Sequence, residues 1–394
     1  MAAARLIIVT LRFWPSVGRV ERYVGRLVEA LPGAGWPVTV LTPRWVEDWP
    51  TRLTVDEGAV VRFHPAPLDL WSRWRYDRQL GRWLRKHVRP EDVVLAVGLR
   101  HEAATVIRAV GQRAAVVLVA PRAVASGEGF QVRDTPGGRR LRRTLLNADA
   151  VVAPSDAVRE QLSEAGFSTG LIRPIAWGVP VVPAPSRKRR AEARRILAEA
   201  SDQLRVPEGA PIGLYIGRLD PDRRLPLAVA AWEPIARRWP GGRLWLVGPG
   251  PERTRIDRQV ADLRLTGRVQ TPGVFEQVET LLDAADLLVH PAPTDDVALP
   301  VLEALGAGLP VVADDSPGHR RAIEHERTGL LVPAASTAEF SAAMARVINS
   351  PALAARLSET GRRWAAEHHS LETMIARHVT LLRQAPKTRG KPPR

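Results

Sequence analysis

Glycine and arginine residues that directly follow apolar runs are the candidates for chemistry in this chain. They occur in three segments: "YIGRLDPDRR" (215–224), "LVGPGPE" (246–252) and "VHPAPTDDVALPVLEAL" (289–305). Gly217, Gly248 and Gly250 lack a side chain and allow a ligand to approach the backbone closely, and Arg218 and Arg223 add positive charge beside the first turn. Each turn by itself is also typical of an ordinary strand-to-helix connection.

A single carboxylate, Glu303, lies inside the otherwise apolar segment "DDVALPVLEALGAGLPVVA" (295–313). Glutamate is among the residues that are least often buried without a partner, because an isolated charge loses its hydration inside a protein. We therefore expect Glu303 to hold a ligand or a polar partner.

Short apolar runs that alternate with amphipathic segments indicate the elements that position these turns. The runs are "RLIIVT", "PVTVLT", "AVVRF", "DVVLAV", "AAVVLV" and "DAVVAP", followed in the second half by "IGLYIG", "RLWLVG", "DLLVHP" and "LPVVAD". Continuous apolar strands separated by helices are typical of a parallel sheet covered on both faces. Ligands of such sheets bind beyond the carboxyl ends of the strands, so the three turns should open onto one crevice. The predicted fold class is α/β, with two Rossmann-like, doubly wound parallel-sheet domains.

Composition divides the chain into two domains and a tail. A segment that begins at Trp177 is rich first in proline and then in arginine, and it marks the connection between the domains. We predict a Rossmann-like N-terminal domain at residues 1–180 and a Rossmann-like C-terminal domain at residues 181–365. A C-terminal helix at 366–384 should pack back towards the first domain, and a basic tail at 385–394 should be disordered.

The composition excludes several classes of protein. With 394 residues, of which 45% are hydrophobic and 25% charged, the chain has the composition of a folded protein and the length of two domains. It contains no cysteine, which excludes disulfides and thiolate metal sites and fits a cytoplasmic setting. No run approaches the roughly 18 apolar residues of a membrane span. We interpret the first apolar run as a buried strand and not as a signal peptide.

The net charge of +15 favours anionic partners such as nucleotides, nucleic acid or anionic lipid. An arginine-rich coding sequence would produce the same excess without any partner. Nucleic-acid binding rests on charge alone, since the chain has no recognised nucleic-acid module, and we expect no such partner. Histidine and cysteine do not cluster at metal-ligand spacing, so we expect no metal site.

The segments "GRLDPDRR", "VGPGPE", "DLLVHPAPTDDVALPVLEALGAGLPVVA" and "TGLLVP" resemble the C-terminal domain of family 4 glycosyltransferases. The segment "PSVGRVERYVGRLVEALPGAGWPVTVLT" resembles their N-terminal domain more loosely. The resemblance implies the GT-B fold, in which two domains face a central cleft. Residues 1–180 would then be the acceptor domain and residues 181–365 the nucleotide-sugar-binding domain. The resemblance also implies an enzyme of the hexosyltransferase type. Such an enzyme moves a sugar from a nucleoside-diphosphate sugar to an acceptor hydroxyl with retention of the anomeric configuration. It would need neither a metal nor any cofactor besides the donor.

The resemblance also assigns the donor site. Glu303 would bind the ribose hydroxyls, while Arg218 and Arg223 would neutralise the diphosphate and Asp295 would take the place of a family glutamate beside the donor sugar. Arg218, Arg223 and Asp295 are thus the implied catalytic residues. The remaining implied donor contacts are small or apolar residues of the same turns: Gly217, Gly250, Gly273, Ala298, Leu299 and Val301.

The departures from the family pattern lie on the acceptor and phosphate side. The opening Gly-Gly of the family is Gly18-Arg19, and the strand "DVVLAV" lacks a final histidine, so that His101 is the nearest imidazole. His101 is also typical of an ordinary residue at a helix start. Arg122 and Arg321 stand where the family has a histidine and a glutamate. Two hypotheses follow: an active but divergent glycosyltransferase, or a catalytically degenerate GT-B protein that binds a nucleotide or partner without sugar transfer.

The segment "LWSRWRYDRQLGRWLRKHVR" (70–89) has the period of a basic amphipathic helix. The helical period places Leu70, Trp74, Leu80, Leu84 and Val88 on one face and gathers basic residues around Trp71 on the next. We expect peripheral binding to an anionic membrane surface, at the inner face of the membrane, through Trp71, Arg78, Arg82 and Arg85. A lipid-linked or cell-envelope glycan acceptor fits such a surface. The alternative is a solvated face of an ordinary crossover helix.

Overall fold

The protein, analysed as a computed structural model, consists of two compact units. Unit 1 comprises Met1–Trp177 together with the C-terminal segment that begins at Glu372, and unit 2 comprises Gly178–Leu371. The structure describes residues 4–55, 58–121, 136–275, 277–294, 296, 298–333 and 336–385. The predictions for Arg122, for Asp295 and for nearly all of the basic tail therefore lie outside the described residues.

Within the described residues, the sheet of unit 1 has eight strands in the order β3-β4-β2-β1-β5-β6-β7-β8. They are β1 (Leu6–Thr10), β2 (Val38–Pro43), β3 (Arg52–Val55), β4 (Gly58–Phe63), β5 (Val93–Val97), β6 (Ala115–Val119), β7 (Ala150–Ala153) and β8 (Ile172–Pro174). Neighbouring strands run parallel, except for the antiparallel edge pair β3 and β4. Strands β1, β5 and β6 are buried along their whole length, as their unbroken apolar sequences predict.

The helices of unit 1 that precede residue 178 are α1 (Arg19–Ala30), α2 (Leu70–His87), α3 (His101–Val110), α4 (Pro136–Leu145) and α5 (Asp156–Glu164). Helix α2 begins at a capping box, in which the Asp69 side chain accepts hydrogen bonds from the amides of Trp71 and Ser72, both at 2.8 Å. Basic residues in its last turn suit the negative end of the helix dipole. The apolar sides of α2 and α3 pack with the sheet in one core.

Unit 2 has a parallel six-stranded sheet in the order β11-β10-β9-β12-β13-β14 within the described residues. The strands are β9 (Ile212–Ile216), β10 (Arg243–Val247), β11 (Val269–Gly273), β12 (Leu287–His290), β13 (Val311–Asp314) and β14 (Leu330–Val332). The helices are α6 (Arg187–Ala200), α7 (Leu225–Arg238), α8 (Arg253–Asp262), α9 (Val278–Ala284), α10 (Leu299–Gly306), α11 (Pro317–Arg320), α12 (Thr337–Asn349) and α13 (Pro351–His369). A second core unites this sheet with residues of α7, α8, α12 and α13.

The last helix, α14 (Leu371–Gln384), is tied to unit 1 by the buried pair of Tyr23 and His378. His378 Nδ1 lies 2.8 Å from the Met374 carbonyl oxygen, which can only accept, so this nitrogen carries the proton. Nε2 of His378 therefore accepts from the Tyr23 hydroxyl at 2.7 Å. Burial lowers the pKa of His378 to about 4. A neutral histidine thus joins α14 to α1.

The α/β fold class and every strand read from an apolar run are confirmed. The sequence analysis missed the short strands β3, β8 and β14, as well as β11, whose residues "VQTPG" include glutamine and proline. The antiparallel pairing of β3 with β4 corrects the expectation of a wholly parallel first sheet. The limits at residues 180 and 365 stay predictions.

Candidate active site

In each sheet the chain adds strands first on one side of the first strand and then on the other. The place where it changes side is the switch point of the sheet. In unit 2 the chain adds β10 and β11 on one side of β9 and then β12, β13 and β14 on the other. In open α/β sheets, ligands bind outside the carboxyl ends of the strands at such a switch point. The loops that follow β9 and β12, residues 217–224 and 291–298, are two of the three segments that the sequence singled out.

Gly248 and Gly250 are required by the packing of two loops against each other. A Cβ atom on Gly250 would collide with the backbone of Leu219, and one on Gly248 would collide with the Gly217 carbonyl oxygen. The Leu219 amide donates to the Pro249 carbonyl oxygen at 2.8 Å, which holds the loops after β9 and β10 together. This packing is the physical reason that the structure gives for these glycines, and their predicted contact with a ligand stays a prediction.

Gly217 and Gly273 have backbone conformations that favour glycine. Gly217 has a φ of 157°, and a Cβ atom there would lie 2.7 Å from the Tyr215 hydroxyl. Gly273 has a φ of 95° at the end of β11, and an added Cβ would meet no atom within 4 Å. A side chain at either position would strain the backbone.

Arg218 and Arg223 lie in the loop after β9 and contact carboxylates of the same loop. Arg218 binds Asp220 through two nitrogens, at 2.7 and 3.1 Å, and Arg223 lies 3.3 Å from Asp222. The sequence analysis overlooked this Asp-Pro-Asp spacing, whose carboxylates offset part of the arginine charge. The Tyr215 hydroxyl donates to the Arg218 carbonyl oxygen at 2.8 Å and fixes the start of the loop. Asp220 occupies the Nε and Nη2 edge of the Arg218 guanidinium, whose side chain is 56% exposed.

Glu303 lies in α10 and is only 3% exposed, which confirms that this carboxylate is buried. The helix begins after Ala298, so Glu303 is the fifth helical residue, whereas Leu299 and Val301 lie in the first turn. The effect of the helix dipole falls off within the first turn. The helix dipole therefore gives the Glu303 carboxylate little stabilisation.

Two buried histidines, which sequence reasoning missed, lie beside the switch point. His290 ends β12, and its Nδ1 lies 3.0 Å from Nε2 of His319 in α11. His319 Nδ1 donates to the Asp314 carbonyl oxygen at 2.7 Å, so its Nε2 accepts from His290. Burial lowers the pKa of His319 to about 4. The Tyr215 ring lies 5.9 Å from that of His290, which places the pair against the base of the arginine loop.

In unit 1 the switch point lies between β1 and β5. Gly18 and Arg19 begin α1 after β1, and His101 begins α3 after β5, so the structure brings the predicted acceptor-side residues to this point. His101 Nδ1 lies 2.8 Å from Asp77, and its Nε2 lies 3.6 Å from Glu102. His101 is therefore a helix-start residue with a carboxylate partner, and its action on an acceptor stays a prediction.

The surface of α2 corrects the predicted face of this helix. Leu70 and Trp74, which the helical period grouped on one face with Leu80, Leu84 and Val88, are 74% and 50% exposed, whereas the other three are buried. The face that packs on the sheet consists of Ser72, Tyr76, Leu80, Gly81, Leu84 and, just after the helix, Val88. The two exposed tryptophans, Trp71 and Trp74, stack with ring centroids 5.2 Å apart.

Basic side chains continue this exposed aromatic surface along α2. Arg78 lies over the Trp74 ring at 5.3 Å, and Arg82 and Arg85 are also exposed. We call Leu70, Trp71, Trp74, Arg78, Arg82 and Arg85 the α2 surface. None of the helices in the described part of the chain is long and apolar enough to cross a membrane.

Family models match both halves of the chain. The model of the family "Glycosyl transferases group 1" matches residues 198–364, and that of "Glycosyltransferase Family 4" matches residues 18–182. A GDP-mannose-dependent alpha-mannosyltransferase of Mycobacterium tuberculosis is 30% identical over 92% of this chain and 94% of that protein. A GDP-mannose-dependent alpha-(1-6)-phosphatidylinositol monomannoside mannosyltransferase of the same species is 26% identical over 96% and 98%.

Among solved structures, sucrose-phosphate synthase from Thermosynechococcus elongatus superposes with a TM-score of 0.75 at 24% identity, over 97% of this chain and 98% of that one. This likeness shows the fold. The similarity to the mannosyltransferase over most of both chains shows the family and confirms that the protein is a glycosyltransferase. The chain therefore belongs to family 4 of the glycosyltransferases and has the GT-B fold.

Proposed function

We propose that the protein transfers a hexose from a nucleoside-diphosphate sugar to a hydroxyl of a lipid-linked or cell-envelope glycan, with retention and without a metal. The observation that carries this proposal is the meeting, at one switch point, of the arginine loop after β9 with the loop that leads into α10 and Glu303. The names of the two mannosyltransferases, both GDP-mannose-dependent, make GDP-mannose the first donor to test.

The chemistry of the proposal rests on stabilising the leaving nucleoside diphosphate. A charge pair at about 4 Å contributes about 4 kcal/mol at an effective dielectric constant near 20. A helix end contributes only about 0.3–1 kcal/mol at an exposed site. Arg218 and Arg223 therefore dominate donor binding in this proposal. The guanidinium groups supply the positive charge on the leaving diphosphate that a bound metal ion supplies in other enzymes.

The donor's ribose is the ligand that we assign to Glu303. An ionised carboxylate has two oxygens and accepts hydrogen bonds from two vicinal hydroxyls at once, which suits a buried position beside a ribose. Backbone groups from Ala298 to Val301, together with Gly250 and Gly273, complete the donor contacts in this proposal. Asp295, which we assign to the donor sugar by family resemblance, lies outside the described residues.

Unit 1 binds the acceptor in this proposal. Gly18, Arg19 and His101 lie at its switch point, and the α2 surface presents tryptophan and arginine together. Tryptophan settles at the headgroup level of a bilayer, while each nearby arginine contributes about 1 kcal/mol on an anionic membrane. The enzyme would thus work at the cytoplasmic surface of a membrane and meet a lipid-linked acceptor there.

The test is the release of nucleoside diphosphate and the transfer of sugar with a panel of GDP-mannose, UDP-glucose and ADP-glucose, with an EDTA arm. We expect one donor to be turned over at equal rates with and without EDTA, and the anomeric configuration of the product to match that of the donor. Loss of turnover in EDTA that Mg²⁺ restores would overturn metal independence. No turnover of any donor would overturn the proposed function.

A further inference from the structure

Arg224, at the end of the arginine loop, has an unusual backbone conformation for its residue type. Its φ is 50°, in the left-handed region, and within the described residues it shares a positive φ only with Arg264 and Glu326 among residues other than glycine. This conformation costs free energy for a residue with a side chain, and strain of this kind clusters at functional sites. Arg224 directly follows Arg223 and is the N-cap residue of α7.

The side chain of Arg224 meets a buried carboxylate. Its Nη1 lies 3.5 Å from Oδ2 of Asp314, the last residue of β13, whose side chain is 1% exposed. In the described part of the chain, neither carboxylate oxygen of Asp314 accepts a hydrogen bond of standard geometry. Burial raises the pKa of Asp314, with the Ser316 hydroxyl and Arg224 acting in the opposite direction. Arg224 is thus the nearest counter-ion of a carboxylate that is costly to bury.

The ion pair joins strands on opposite sides of the switch point of unit 2. Strand β12 lies between β9 and β13, so the ends of β9 and β13 are about 10 Å apart at the usual strand spacing. Arg224 comes from the loop after β9 and reaches the end of β13. The pair therefore passes the carboxyl end of β12, where an open α/β sheet binds its ligand.

We propose that Arg224 is a third diphosphate-binding residue, which exchanges Asp314 for the diphosphate of the donor when the donor binds. This inference rests on the proposed function. The Arg224 side chain is 38% exposed, and its contact with Asp314 lacks a hydrogen bond, unlike the two-fold contact of Arg218 with Asp220. Charge-assisted hydrogen bonds to a diphosphate are stronger than such a long ion pair. Asp314 therefore holds Arg224 beside the site and competes for it.

Calorimetric titration with GDP and with UDP tests the exchange, because the two partners should affect affinity in opposite directions. R224Q should weaken binding of the preferred nucleotide about 10-fold, while D314N should tighten it about 3-fold by removing the competitor. In the double variant R224Q/D314N the gain from D314N should vanish, because the arginine that it releases is absent. R264Q, at an exposed arginine with a φ of 55°, is the matched control and should bind like the wild type.

A merely structural ion pair gives a different pattern. D314N would then bind like the wild type or more weakly, and either result overturns the exchange even if R224Q is impaired. If R224Q fails to fold because it leaves Asp314 unpaired, R224K and the double variant keep the charge balance and carry the comparison, with thermal unfolding as the check. Failure of both nucleotides to bind the wild type overturns the proposed function together with this inference, whereas nucleotide binding that is indifferent to D314N overturns this inference alone.

Discussion

Each unit has its switch point beside its first strand, and the two switch points carry different side chains. In unit 2 three arginines lie in the loop after β9, a buried histidine pair joins β12 to α11, and a buried glutamate lies in α10. In unit 1 the loops beside β1 and β5 present Gly18, Arg19 and a histidine that is already bonded to Asp77. The comparison teaches that one strand topology can carry different side chains at its switch point, because the strands form the core and the loops carry the charge.

The largest expected effect separates the two switch points by activity. R218A should lower the kcat/KM for the donor about 100- to 1000-fold, the loss typical for removing one group that stabilises developing negative charge. H101Q in unit 1 keeps a polar side chain of similar size and should change the same kcat/KM by less than about 10-fold. Steady-state kinetics with varied donor concentration gives both values. Equal losses in the two variants would contradict the division of tasks between the units.

The next effect separates the outer surfaces of the units. The triple variant R78E/R82E/R85E of α2 should bind anionic vesicles about 100-fold more weakly, because each arginine near the surface contributes about 1 kcal/mol. Its matched control is R253E/R255E/R258E of α8, which changes the net charge by the same amount on unit 2. Co-sedimentation with phosphatidylglycerol vesicles at low salt measures both.

A tryptophan variant of the exposed face of α2 can be tested in the same vesicle assay. W74A should also release the protein from vesicles, since Trp74 lies on the exposed face and stacks with Trp71. Equal binding of the wild type and the α2 triple variant to the vesicles would show that the α2 surface is an ordinary solvated helix face.

A third effect compares the buried histidines of the units. His378 in unit 1 and His319 in unit 2 have pKa values lowered from 6.5 to about 4 by burial. In the unfolded chain each gains a proton as the pH falls below its ordinary pKa, while in the folded chain it stays neutral. The stabilising effect is therefore complete above about pH 6.5 and is lost as the pH falls towards 4, by about 2–3 kcal/mol for each histidine at pH 4.5.

Urea unfolding at pH 7 and pH 4.5 measures this dependence. The free energy of unfolding should fall less between these two values in H378Q and H319Q than in the wild type, since glutamine does not titrate. Carboxylates that titrate in the same range contribute equally to all three proteins and cancel in the difference. The same pH dependence in both variants and the wild type would show that neither histidine is held neutral by the fold.

The smallest effect concerns the ribose. E303Q should weaken binding of GDP about 10-fold, the value for hydrogen bonds to a charged acceptor, and should bind 2'-deoxy-GDP and GDP with similar affinity. The wild type should prefer GDP. Competition titration of the two nucleotides is the measurement, and a ribose preference that survives in E303Q would assign the hydroxyls to another group of unit 2.

Local patterns in the sequence predicted most of the fold, because buried parallel strands are apolar along their whole length. The candidate site was predicted only where the residues are close in the chain, as in the loop of Arg218 and Arg223. The pairing of His290 with His319 and that of Arg224 with Asp314 join residues that are distant in sequence, and only the strand order brings them together. The grouping of Trp74 with Leu80 and Leu84 failed for a related reason, since a helical period gives relative directions and not the side that the rest of the unit covers.

The interlocked glycines of unit 2 have a consequence for redesigning this enzyme. Because the backbone at Gly248 and Gly250 touches that of Gly217 and Leu219, the loops after β9 and β10 behave as one piece that also carries the arginines. Any larger residue at position 248 or 250 would shift Arg218 together with its loop. In the proposed donor site, variation aimed at a new donor therefore belongs in the first turn of α10 and the loop before it, where side chains can change while the arginine loop keeps its shape.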